Sequence, residues 1–295
     1  MQKKLKHLFL ISGCFLLVNT YATTLVLPSS GDLVGEVQYA SAEPNETLDE
    51  LSKRLSIGYS ELLRANPNVD PTQFLSENTQ LIIPSQFILP DVPRKGIVIN
   101  LADYRLYYFP ENENVVVTFP VGIGREGWKT PLGLTKIISK EANPKWRPTA
   151  NVQAEAMKNG DPLPDEFPSG PNNPLGKHAL RLGWATFLIH GTNNPNGIGS
   201  RVSAGCIRMF PEDIEHLFSL VSVGTPVRVI NEPVKIGRQG GSLFLQIHPL
   251  LIEQRHQSLK TMVSNKLKRL QVAQGSQNKV IRSELAYPSG LVKKI

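Results

Sequence analysis

Apolar residues recur along this chain with two different spacings, and the change of spacing divides it. Around Thr47 the spacing is helical: Leu48, Leu51 and Leu55 share one face, and Thr47 with Glu50 has the form of a capping box that opens a helix. A second short helix is predicted over 60–65, stopped by Asn66-Pro67-Asn68. Short β-rich runs flank the pair, at 37–40 and 80–83. Residues 36–84 thus form a small α+β unit in the order strand–helix–helix–strand. Residues 90–93, with a proline at each end, form a stiff linker.

Beyond the linker the pattern turns to strands. Runs rich in β-branched and aromatic residues occupy 96–101 and 104–109 around Ala102-Asp103, then 115–119, 132–139, 179–182, 186–189 and 227–230. Many short strands with Pro/Gly turns predict a mainly β domain, sandwich or barrel-like, over residues 95–230. Residues 141–177 interrupt it with a Pro-, Asn- and Gly-rich stretch holding Trp146 and a helical turn at 153–158. A loop of that length inside a compact domain is usually functional, and a lid over a site is the natural role. Pro211 followed by Glu212 and Asp213 marks a helix start. Residues 231–295 form a partly helical extension: a strand at 243–247, then one helix across 250–272. Its apolar face carries Ile252, Leu259, Met262, Val263, Leu267 and Leu270, and its basic face includes Arg255, Lys260, Lys266, Lys268 and Arg269.

Charge refines this division. The chain carries +7 in all: +3 in residues 1–22, −4 in 23–230 and +8 in 231–295. The basic character therefore belongs to the tail, as the solvated face of a docked helix; attraction to acidic lipid is the weaker alternative, and no motif supports nucleic-acid binding. Lys3, Lys4 and Lys6 precede an apolar run from Leu8 to Val18 and the small-x-small pattern Thr20-Tyr21-Ala22, so residues 1–22 have the form of a signal peptide cleaved after Ala22. Lipid anchoring through Cys14 is the minority alternative. Export places the protein in an oxidising compartment, where removal of the signal leaves Cys206 alone. A lone thiol there forms no intramolecular disulfide and argues against a cysteine-rich zinc site. No metal or cofactor is expected.

The stretch around Cys206 carries the chemistry. A thiol beside an imidazole can act as a nucleophile, and His190 ends an apolar run sixteen positions earlier. Gly205 permits a tight turn before the thiol, and Arg208 supplies a fixed positive charge that favours thiolate or holds a substrate carboxylate. The segment I-H-G-T at 189–192, followed by S-x-G-C-I-R at 203–208, resembles the active-site motif of the L,D-transpeptidases with a YkuD-type catalytic domain. That resemblance implies Cys206 as nucleophile, His190 as its proton partner, and Gly191, Thr192, Ser203, Gly205 and Arg208 as substrate-binding or oxyanion residues. Ala204 departs from members that carry a second histidine there. The resemblance further implies action on peptidoglycan stem peptides, and the basic tail together with a LysM-like amino-terminal unit resembles the periplasmic Gram-negative branch of the family. The acyl acceptor is a second stem (a 3–3 cross-link) or an envelope lipoprotein. L-L-R-A-N-P-N-V-D and L-I-I-P resemble a LysM module, which implies a glycan partner. A non-catalytic wall-binding protein and an L,D-carboxypeptidase trimming stems are the alternatives. If the amino-terminal unit is separable, removing residues 23–90 leaves turnover of soluble stems intact.

Overall fold

The computed structural model describes residues 23–77, 79–272 and 279–295. The expected signal segment, with Cys14, lies outside the described residues. Among those described, no helix is long and apolar enough to cross a membrane.

The centre of the molecule is a curled nine-stranded sheet. Across it run Thr23–Val26, Val115–Pro120, Arg105–Phe109, Gly96–Asn100, Pro226–Ile230, Gly133–Ala142, His178–Leu182, Leu188–His190 and Ile207–Arg208. Neighbours are antiparallel except Gly96–Asn100 with Pro226–Ile230 and Leu188–His190 with Ile207–Arg208. The curl comes from the long strand Gly133–Ala142. Its first residues pair with Pro226–Ile230, its last with His178–Leu182, and the register shifts between Ile137 and Ser139. Such a bulge increases local twist and lets one strand serve two halves of a sheet.

Both faces of the central strands are covered, which explains their unbroken apolar runs. On one face Ile97, Ile99, Leu106, Phe119, Val227 and Val229 join Ile189, Ile207, Ile214 and Leu217 in the largest core. The helix Pro211–Leu220 lies there, begun by Pro211 and carrying Glu212 and Asp213 in its first turn, where the helix dipole favours them. On the other face Val98, Tyr107, Phe109 and Val116 pack against Val34, Phe87 and Leu89. Pro90 is buried and Val92 packs against this core while Asp91 and Pro93 are exposed, so the expected linker runs along the edge of a core.

The amino-terminal unit has the expected order. Strand Gln38–Ser41 pairs antiparallel with Gln80–Ile83, and helices Leu48–Arg54 and Tyr59–Ala65 lie between them. The capping box at Thr47 is present, with Glu50 N–H donating to Thr47 Oγ1 at 3.3 Å and Thr47 N–H donating to Glu50 Oε2 at 2.8 Å.

The tail differs from expectation. A hairpin, Val234–Gln239 with Ser242–Ile247, precedes the helical part, and Gly240 and Gly241 take positive φ (54° and 76°) at its turn. The expected single helix over 250–272 is broken into a turn of 3-10 helix, Ile252–Gln254, and an α-helix, Leu259–Arg269. The Ser258 side chain accepts from Thr261 N–H and starts the second segment afresh, so apolar periodicity runs on across a cap. Val263 and Leu267 pack on Val234, Leu245 and Ile247, and a further helix, Lys279–Ala286, adds Ile281. The expected strand at 186–189 runs instead from Leu188 to His190, because Thr186 sits at φ 68°, outside strand geometry.

Candidate active site

Ile189 and Ile207 are register partners on two parallel strands, and both face the core. Alternation therefore turns the next register pair, His190 and Arg208, to the opposite face. Cys206 precedes Arg208 by two residues at the mouth of the same strand. The loop-separated histidine and cysteine are thus carried by neighbouring strands, each next to an isoleucine locked in the core.

The turn before the thiol is braced from inside. Ser203, 2% exposed, donates its hydroxyl to the Cys206 carbonyl at 2.5 Å and accepts the Gly205 N–H at 3.1 Å. Thr130 Oγ1 donates to the Gly205 carbonyl at 2.8 Å. Gly205 stands at φ +107°, and a Cβ there would come within 2.9 Å of the Phe187 ring. Thr192 commits its hydroxyl to the Asn194 backbone, donating to the carbonyl at 2.9 Å and accepting the N–H at 3.0 Å. Gly191 lies against Ile214 and Leu175, with its carbonyl bonded to His190 Nδ1 at 2.6 Å. Of the expected oxyanion groups, the Gly205 N–H is thus already occupied. The Cys206 N–H has no hydrogen-bond partner among the described residues.

The half-buried Cys206 thiol donates to the Thr186 carbonyl at 3.6 Å. Burial pushes it above the ordinary thiol range, while the Leu188 N–H, Arg208 and Arg181 pull the other way. His190, 4% exposed, is lowered to about 3 by burial first and by the Arg208 charge second; its bond to Gly191 opposes both. At neutral pH the resting site therefore holds a thiol and a neutral imidazole. The thiolate–imidazolium form is disfavoured because neither charge is solvated there. With Nδ1–H donated to Gly191, Nε2 keeps the basic lone pair.

Arg208 has a buried Nε without a partner and pairs with no carboxylate among the described residues. Beside the thiol a cleft of about 800 Å³ opens, lined by Glu141, Trp146, Glu166, Arg181, Thr186 and Leu188. The 141–177 insertion forms much of its wall. Asn173, 1% exposed, ties the insertion's base together: its amide donates to the carbonyls of Pro144, Phe167 and Pro168, and its Oδ1 accepts from Leu175 N–H. The helix in this insertion, Ala150–Lys158, is longer than the turn predicted. Sequence reasoning missed Thr186, Leu188, Arg181 and Asn173, whose roles depend on contacts with no local pattern.

The two parallel strands thus carry His190 and Arg208 as register partners with Cys206 just before the second, near a cleft walled by the 141–177 insertion, and comparison with known proteins defines the class. The model of the YkuD L,D-transpeptidase catalytic domain matches residues 94–229. The probable L,D-transpeptidase YcfS of Escherichia coli K12 is 44% identical over 239 residues, 79% of this chain and 74% of that one. YbiS of the same strain, also a probable L,D-transpeptidase, is 44% identical over 257 residues, 84% and 83% of the two chains. ErfK/SrfK of that strain is 43% identical over 240 residues, 79% and 76%. The chain belongs to the YkuD-type L,D-transpeptidase family. It is an enzyme of that class, a transferase with a cell-wall function.

Proposed function

We propose that this enzyme acylates Cys206 with a peptidoglycan tetrapeptide stem and passes the acyl group to an amine. The observation that supports this reading is that Arg208 is the register partner of His190 and acts on Cys206 two residues before it, while the thiol bonds Thr186 on the cleft wall. Arg208 takes the carboxylate of the terminal D-residue, which sets the carbonyl of the third residue over the sulfur. The thiol proton moves to His190 Nε2 as sulfur attacks, so neither charge has to exist in the resting site. The Cys206 N–H is the free backbone donor for the oxyanion. The C–N bond to the D-residue breaks, the imidazolium returns its proton to the departing amine, and a thioester remains. An acceptor amine then attacks the thioester, again deprotonated by His190, and the thiol is restored.

Export to the periplasm, following from the expected signal at 1–22, places the enzyme beside that substrate. The glycan is the partner proposed for the amino-terminal unit: Tyr39 and Phe74, 61% and 65% exposed, offer aromatic faces to sugar rings. The deciding measurement is intact mass after incubation with a defined tetrapeptide muropeptide. The expected product is a covalent adduct on Cys206 with loss of one alanine, absent in Cys206→Ala. His190→Ala should form the same adduct roughly 10²–10⁴-fold more slowly. Alanine release by Cys206→Ala would refute the assignment.

A further inference from the structure

The helix Ala150–Lys158 buries none of its nine residues, and Met157 stands 70% exposed. Apolar packing therefore does not hold it over the site. Among the described residues, its side chains hydrogen-bond the molecule outside the insertion only through Glu155. That carboxylate accepts from the Arg125 guanidinium and, at 3.3 Å, from the Trp128 indole N–H. The insertion's base is fixed differently, by Asn173 and by the Trp146–Phe167 ring pair at 5.2 Å. A firm base thus carries a helix latched by one carboxylate.

The other end of the latch belongs to the site. Arg125 N–H donates to the Ser203 carbonyl at 2.9 Å, and Ser203 braces the Cys206 turn. The Arg125 guanidinium lies over the Trp128 ring, 5.1 Å from its centroid. Its charge reaches Arg208, and that of Arg208 reaches the sulfur. Two neighbouring guanidiniums repel unless an anion lies between or upon them. Among the described residues Arg208 has no carboxylate and a buried, unpartnered Nε, and the one carboxylate on Arg125 is Glu155.

We propose that Arg125 is a second carboxylate-binding residue of the site, occupied in this structure by Glu155, which a carboxylate of an incoming stem other than the one on Arg208 displaces. In its peptide form this rests on the proposed function, but the anion competition itself does not. Glu155 is then both latch and internal competitor: a donor without a second free carboxylate has nothing to exchange for it. Arg125 and Glu155 are 38% and 35% exposed, so the exchange is between contacts of modest strength.

The test uses two reagents that differ in charge, iodoacetate and iodoacetamide, on the mature protein. Glu155→Gln should raise the ratio of their rates at Cys206 about 2- to 5-fold, the range for a half-exposed ion pair, with the iodoacetamide rate unchanged. Arg125→Gln should lower the ratio by a similar factor, and Arg125→Lys should restore most of it. With tetrapeptide donor, the half-saturating concentration for acylation should fall in Glu155→Gln and rise in Arg125→Gln. An unchanged ratio in both variants overturns the proposal. So does equal acceleration of both reagents in Glu155→Gln, which would make Glu155 a steric shield. Because alkylation needs no peptide, a wild-type protein that fails to take up muropeptide refutes the proposed function and leaves the ratio test standing.

Discussion

Arg208 acts on both members of the candidate pair at once. Its charge draws the Cys206 thiol down against burial and drives the imidazole of His190 further down. Arg208→Gln should therefore move both upward. Alkylation of Cys206 by iodoacetamide should accelerate at a higher pH than in the wild type, while the His190 resonance should titrate nearer the ordinary imidazole range. A thiol profile that stays in place would show that the guanidinium charge does not reach the sulfur. The depressed value at His190 also has a sign for stability. Folded His190 protonates at about 3 and an unfolded histidine near 6.5, so the unfolded chain binds more protons between those values. That contribution is complete above about pH 6.5 and is lost as pH falls towards about 3. Arg208→Gln should flatten this acid limb, which urea titrations at a series of pH values would measure.

At the scale of elements, what was legible in the sequence was what local pattern determines. The strands at 96–101, 104–109, 115–119 and 227–230 declared themselves because both their faces are buried, and Thr47 and Pro211 declared the starts of two helices. The hairpin turn Gly240-Gly241 was also readable, as paired glycines between apolar runs, yet the long periodicity downstream drew attention to a helix that Ser258 interrupts. Ser203, Gly205, Cys206, His190 and Arg208 could be picked out by motif. Their division of labour could not, since bracing by Ser203 and burial of His190 depend on packing. The insertion gave least, because Asn173 organises it through carbonyls up to 29 residues away. Asn173→Ala leaves those buried acceptors without a donor, a loss of about 1–3 kcal/mol. The expected result is a lower melting temperature together with a raised KM for the peptide donor, since the cleft wall loses its anchor. A stable variant with unaltered KM would separate the wall from substrate binding.

On the scale of the whole molecule, buried ion pairs join the parts that the sequence seemed to keep separate. Glu61 of the amino-terminal unit meets Arg105 of the central sheet at 2.6 Å, with side chains 4% and 3% exposed. Arg105 also donates to Thr118 and lies over the Phe87 ring at 4.2 Å. On the tail side, Lys235 meets Asp103 at 2.7 Å, and Tyr107 donates to the same carboxylate at 2.9 Å. Nearer the site, Ser56 donates to Asp213 at 2.8 Å, and Tyr59 N–H donates to the Ile198 carbonyl in the loop after His190. Thr23–Val26, which precedes the amino-terminal unit, is itself an edge strand of the central sheet. Removing residues 23–90 would strip that strand, uncover Val98, Tyr107 and Phe109, and take from Arg105 both its ion-pair partner and the Phe87 ring that covers it. The expectation of intact turnover after such a cut is therefore reversed: the remainder should lose folding and turnover together. Glu61→Gln isolates the electrostatic part. Leaving one partner of a buried pair uncompensated costs about 3–5 kcal/mol, a large share of a typical total stability of about 5–15 kcal/mol. Replacing both partners by apolar residues, Glu61→Leu with Arg105→Met, should recover much of that loss, because no charge is then stranded. Thermal unfolding followed by circular dichroism would rank the three proteins, with turnover of soluble tetrapeptide stems read alongside. If residues 91–295 alone fold and turn over stems like the full chain, the amino-terminal unit is an appendage and the Glu61–Arg105 pair holds nothing that catalysis needs.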